Sequence, residues 1–148
     1  MVARTYSATL VGVNAVEIEV ESHEGMGNGP RIIVVGLPDA AVKESRDRVM
    51  AALDSSGFTL HDGITTVNLA PANIKKEGPA FDLPIAVSLV AVKQKLKIEV
   101  LQETCMVGEL ALNGELRPVR GLLAIALFFG TISVLMPHSQ PMCSEDCR

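Results

Sequence analysis

From Val16 to Glu21 apolar and acidic residues alternate strictly, with Val16, Ile18 and Val20 set against Glu17, Glu19 and Glu21. A period of two sends successive side chains to opposite faces, so the segment predicts a half-buried strand with its carboxylates in water. Tyr6 to Val13 reads as its partner through a tight turn at residues 12–14, which makes an N-terminal hairpin. The glycine-rich stretch Ser22 to Pro30 then leads into Ile32 to Val35, an unbroken β-branched run that predicts a strand covered on both faces and central in its sheet.

Helical signals follow. Pro38 is tolerated in a first turn, Asp39 suits the positive end of the helix dipole and Gly57 supplies a stop, predicting a helix over 38–55. Val42, Ser45, Val49 and Leu53 share its inner face, while Lys43 with Asp47 and Glu44 with Arg48 stand at i,i+4 spacing and predict a solvated face. Ile64 to Ala70 reads as a strand ended by Pro71. Asp82 is the candidate cap of a helix over Leu83 to Leu96, apolar nearly all round and therefore buried. Asn113-Gly114, between Met106 to Leu112 and Glu115 to Val119, predicts a hairpin with a type I′ turn.

A length of 148 residues fits one domain, and 48% apolar with 20% charged residues excludes disorder along the whole chain. A net charge of −4 argues against strong autonomous nucleic-acid binding, and 3% aromatics leave little for a base-stacking platform. Phe58, Phe81, Phe128 and Phe129 are expected in the core. The apolar run Leu122 to Met136 is 15 residues long, short of the roughly 20 that span a bilayer, and reads as a buried helix followed by a strand. Without a secretory signal, the three cysteines are expected as reduced thiols and the chain as cytoplasmic. The domain is predicted over 1–136, with a flexible tail over 137–148.

Chemistry is sparse. No string of the form G-x4-G-K-[ST] occurs, and Gly25, Gly27 and Gly29 precede a strand instead of opening a helix, so the isolated chain is expected neither to bind nor to hydrolyse ATP. His138, Cys143 and Cys147 are too few and too loosely placed for a zinc site, and no metal is expected. His23 and His61 read as surface residues and Cys105 as an inert buried thiol. Ser45 and Lys43, two apart on a helix, point to different faces and cannot act as nucleophile and base.

Five strings, taken in order and at their spacings, carry a resemblance: Val34-Val-Gly-Leu-Pro-Asp39, Val42-Lys-Glu-Ser45, Val67-Asn-Leu-Ala-Pro-Ala72, Lys76-Glu-Gly-Pro-Ala-Phe-Asp-Leu-Pro-Ile-Ala86 and Val107-Gly-Glu-Leu-Ala-Leu-Asn-Gly-Glu-Leu-Arg-Pro-Val-Arg-Gly121. Residues 1 to about 127 resemble the N-terminal domain of the magnesium-chelatase-like AAA+ ATPases of the ComM/YifB kind. That domain is similar to the proteolytic domain of Lon, which implies an α+β fold with a mixed sheet and packed helices, in the ribosomal-protein-like superfamily. Lon proteases use a Ser-Lys dyad. The resemblance places Ala80 at the serine position and Ile125 at the lysine position, and neither a methyl nor a sec-butyl group can do that chemistry.

The resemblance thus implies a non-catalytic accessory domain of an ATPase acting in DNA recombination and natural transformation, with ATP and magnesium confined to a module that this chain lacks. A residual or unrecognised peptidase or hydrolase is the alternative. A dimerisation or regulatory module that caps a full-length ring is a third reading. Implied partners are an AAA+ module or full-length homologue, further copies of the chain, and DNA held weakly. No membrane contact is expected. In the Lon-like arrangement the segments carrying Lys75 and Lys76 and carrying Arg117 and Arg120 approach each other, making these four the candidate DNA-contact patch. The competing expectation is that they pair with Glu77, Glu109 and Glu115 and stay solvated.

Overall fold

A computed structural model describes residues 2–60, 62–94 and 98–129. Strands β1 (Val2–Val11) and β2 (Asn14–Gly25) form the expected hairpin, with Val11 opposite Asn14. Of the two turn residues only Gly12 has positive φ, +66°, as a type II′ turn requires. β3 (Pro30–Val35) and β4 (Gly63–Ala70) complete a four-stranded sheet in the order β1-β2-β4-β3; β4 runs antiparallel to β2 and parallel to β3.

β3 is therefore the outermost strand and not the central one. The β-branched run was expected to be covered on both faces, yet only the face of Ile32 and half-buried Val34 packs on the core while Ile33 and Val35 remain exposed. The centre belongs to β2 and β4, whose alternation places Ile18, Val20, Val67 and Leu69 inward.

Helices α1 (Ala40–Ser55) and α2 (Asp82–Gln94) cover one face of the sheet. Val42, Val49 and Leu53 from α1 meet Ile85 and Leu89 from α2 over the inward strand residues. α2 approaches β1 and β2 across small polar groups: Thr5 Oγ1 donates to the Pro84 carbonyl at 3.0 Å, and the Ser22 and Ser88 hydroxyls lie 2.6 Å apart. α2 is buried as its composition predicts.

Two helix boundaries differ from expectation, and a third lies outside the described residues. α1 starts at Ala40 because Asp39 is its N-cap, accepting the Val42 N–H at 2.8 Å. Asp82 is the first residue of α2, directly after a 3-10 turn over Pro79–Phe81, and its carboxylate goes to Arg48 and Leu110 instead of N-capping the helix. Residues 95 and 96, expected to end α2, lie outside the described residues; a short α3 (Ile98–Gln102) follows.

The second hairpin exists, but as β5 (Glu109–Leu110) and β6 (Leu116–Arg117). Its connection runs through residues 111–115. The Gly114 N–H donates to Ala111 at 2.9 Å and the Ala111 N–H to Glu115 at 2.8 Å. Gly114 has φ +84° and Asn113 does not have a positive φ, so the turn is not type I′.

α4 (Leu122–Phe129) packs on the opposite face of the sheet, where Ile125 joins Ala8, Ala15, Cys105 and Val107. The Met106 N–H donates to the Tyr6 carbonyl at 2.8 Å, extending the sheet beyond β1. Of the phenylalanines expected in the core only Phe81 is fully buried; Phe58 and Phe128 are exposed, the latter on the outer face of α4 beside Leu123 and Leu127. One face of α4 is therefore solvated, against the expectation of a buried helix. The strand expected after it and the tail over 137–148 lie outside the described residues. No helix among the described residues is long and apolar enough to cross a membrane.

Candidate functional site

The segment 76–82 is held by two carboxylates. Asp39 Oδ1 caps α1 while its Oδ2 accepts the Gly78 N–H at 3.3 Å; the Asp39 N–H donates to the Lys76 carbonyl at 3.0 Å, and the Lys76 N–H to Leu37 at 3.3 Å. Gly78, at φ +79°, turns the chain into Pro79.

Asp82 is fully buried and binds a half-buried Arg48 through two bonds, Nε to Oδ2 at 2.8 Å and Nη2 to Oδ1 at 3.1 Å. The Leu110 N–H also donates to Oδ2, at 3.1 Å. One carboxylate thus joins α1, α2 and β5. The charge-assisted bond holds the Arg48 pKa above its ordinary value. The predicted solvated face of α1 therefore loses Arg48, which points across to α2 instead of pairing with Glu44. Arg46 pairs with Asp47 at 3.0 Å, in place of the expected Lys43–Asp47 pair.

Against this braced segment lies an open cavity of about 410 Å³, lined by residues 77–80 on one side, by 118–120 on the other, and by Glu109. The two stretches that the sequence expects to approach each other do so here. The Gly108 N–H donates to the Ala80 carbonyl at 2.9 Å, anchoring this wall.

The four predicted cations take different positions. Arg120 lines the cavity. Lys75, exposed, is 2.7 Å from Glu77, and Arg117 is 3.6 Å from Glu109. Lys76 has no exposed surface: its ammonium donates to the Pro71 carbonyl, and burial lowers its pKa. Only Lys75, Arg117 and Arg120 of the four present charge to solvent.

Ala80 lines the cavity, whereas Ile125 is 3% exposed within the apolar cluster beneath α4. The Cys105 thiol is buried, and desolvation followed by Glu17 pushes its pKa up to about 12, which removes the thiolate needed for nucleophilic or metal chemistry. His23 is exposed; His61, His138, Cys143 and Cys147 lie outside the described residues. Among the described residues no three metal-capable side chains gather.

The sequence reading did not find the Asp82–Arg48 clamp. No local spacing marks a pair so far apart in the chain; an acidic residue at the start of a largely apolar helix was the one available sign that a cation must reach it.

Fold and site together define an α+β domain with a mixed four-stranded sheet, helices on both faces, and a braced cavity beside the Gly78-Pro79-Ala80 turn. The family model described as subunit ChlI of Mg-chelatase matches residues 18–139. The chain belongs to that magnesium-chelatase-like family, in its ComM/YifB group. It is 46% identical over 121 residues to "Uncharacterized protein YifB" of Escherichia coli, covering 82% of this chain and 24% of that protein. It is 42% identical over 125 residues to "Competence protein ComM" of Haemophilus influenzae, covering 84% and 24%. A Lon protease of Trichlorobacter lovleyi is 25% identical over 148 residues, 93% of this chain and 18% of that protein. The chain thus spans about a quarter of the length of its YifB and ComM relatives.

Proposed function

We propose that this chain is a non-catalytic, Lon-like accessory domain of a ComM-type ATPase, serving assembly or substrate engagement in DNA recombination and natural transformation. The observation that carries this reading is the cavity wall: Ala80, matched to the Lon serine, lines it, and Ile125, matched to the lysine, is packed in the apolar cluster beneath α4. Neither side chain has a proton to give or take at neutral pH. The resemblance to a Lon protease and to ComM supports the fold superfamily and the setting respectively. ATP and magnesium belong to the module of the longer relatives.

Within that role Arg120, in the cavity, with Lys75 and Arg117, which pair with its lining residues Glu77 and Glu109, contacts the backbone of single-stranded DNA. Three phosphate contacts give a salt slope of about 2, at roughly 0.7 per contact for single strands, so binding is weak and useful only when several copies act together. Replacing the three with Ala is expected to abolish low-salt binding of an oligonucleotide, and an unchanged dissociation constant rejects the contact. A fluorogenic peptide assay addresses the alternative: turnover that survives removal of contaminating proteases makes the chain a peptidase and overturns the non-catalytic reading.

A further inference from the structure

Among the described residues the outer edge of β3 carries no strand, and β3 pairs with β4 alone. Folded proteins normally blunt such an edge with lysines, prolines or bulges, because unpaired N–H and C=O groups invite another strand. Here Pro30 and Arg31 stand only at its first end, and Ile32 to Val35 is β-branched throughout. On the face turned away from α1 and α2, Ile33 is 38% and Val35 40% exposed.

Leu37, just past the strand, is 55% exposed and has φ +63°, a left-handed conformation costly for any residue with a Cβ. Its carbonyl, accepting the Lys76 N–H at 3.3 Å, helps to hold it there. The fold thus sustains backbone strain while presenting a third apolar side chain to water beside the same edge.

α1 packs against β3 and shows which occupant fits. One flank of the helix faces α2, where Arg48 meets Asp82. Residues three and four apart share a flank, so the other flank carries Lys43, Arg46, Asp47, Met50 and Asp54; Asp47 holds Arg46 at 3.0 Å, which leaves the first half net positive through Lys43 and a carboxylate in the last. That order is complementary to itself when the helix is laid antiparallel to its own copy.

We propose that two copies of this chain pair edge to edge through β3, antiparallel about a two-fold axis, joining two four-stranded sheets into one. The axis brings Ile33 and Val35 of each copy against those of the other, and faces Lys43 of one α1 with Asp54 of its partner, an isologous interface. A strand pair alone falls short of the roughly 1,000 Å² that specific interfaces bury, so the helix flank is needed as well and the association is weak. The interface goes beyond the accessory-domain reading and does not depend on it.

Sedimentation velocity on the whole chain across the micromolar range tests this. The expected result is a concentration-dependent dimer. Ile33→Lys with Val35→Lys is expected to stay monomeric, with an unchanged circular dichroism spectrum because both side chains are already exposed. Lys43→Glu and Asp54→Lys each weaken association, and the two together restore it. A wild-type chain that remains monomeric overturns the proposal. So does a dimer that persists with lysines at 33 and 35, or a combined swap that associates no better than its parents. The charge swap lies on an exposed helix flank and stays informative should the lysine pair fail to fold. None of these variants touches Lys75, Arg117 or Arg120, so the outcome is separate from the DNA test.

Discussion

A lysine with no exposed surface must find an acceptor, and Lys76 finds the carbonyl of Pro71. Burial holds its folded pKa below the ordinary lysine value of 10.5, so between those two pH values the unfolded chain carries more protons than the folded one. Stability from this group therefore rises as pH climbs through that window. Cys105 has the opposite sign: its pKa is raised from 9.0 to about 12, so the folded state holds the extra proton and its contribution falls as pH rises. Comparison with Lys76→Met isolates the lysine. Urea midpoints of the wild type are expected to gain on those of the variant as pH rises toward 10.5, and parallel curves would show that the ammonium is not desolvated. The sequence displays Lys75 and Lys76 as equal members of a basic pair; only the Leu37–Lys76–Asp39 backbone bonds decide which of them turns inward.

Between elements, Asp82 is the tie joining α1, α2 and β5. Removing one partner of a buried ion pair strands the other, a loss of about 3 to 5 kcal/mol, whereas replacing both with apolar groups of similar volume is often close to neutral. Asp82→Ala and Arg48→Met are each expected to lower the unfolding free energy strongly, and the double variant by much less than their sum. Additive losses in urea titrations would refute the coupling. At this scale local pattern served well where a face alternates or a turn residue is unambiguous: the β1–β2 hairpin, α1, β4 and the buried α2 all follow from it. It failed for β3 and α4, because an unbroken apolar run records that residues are apolar and not whether a neighbour covers them. Ile33 and Leu127 look like core in the sequence and are exposed in the structure.

For the whole molecule, family membership was legible because long strings such as 76–86 and 107–121 must close one braced turn and one hairpin around the same cavity. The clamp that builds the cavity was not, since it joins residues from distant parts of the chain. Asp39 shows what such joining means for motion. Its two oxygens serve different elements: the Val42 amide at the start of α1 and the Gly78 amide at the cavity wall. A rotation of this one carboxylate releases both protons to water together. Amide hydrogen exchange is therefore expected to give Val42 and Gly78 a common opening free energy, with Asp39→Ala, which removes both acceptors, accelerating both; independent exchange would mean that the helix start and the wall breathe separately. The cavity wall at Gly78 then loosens on the clock of the first turn of α1, and whatever steadies that turn also stiffens the wall.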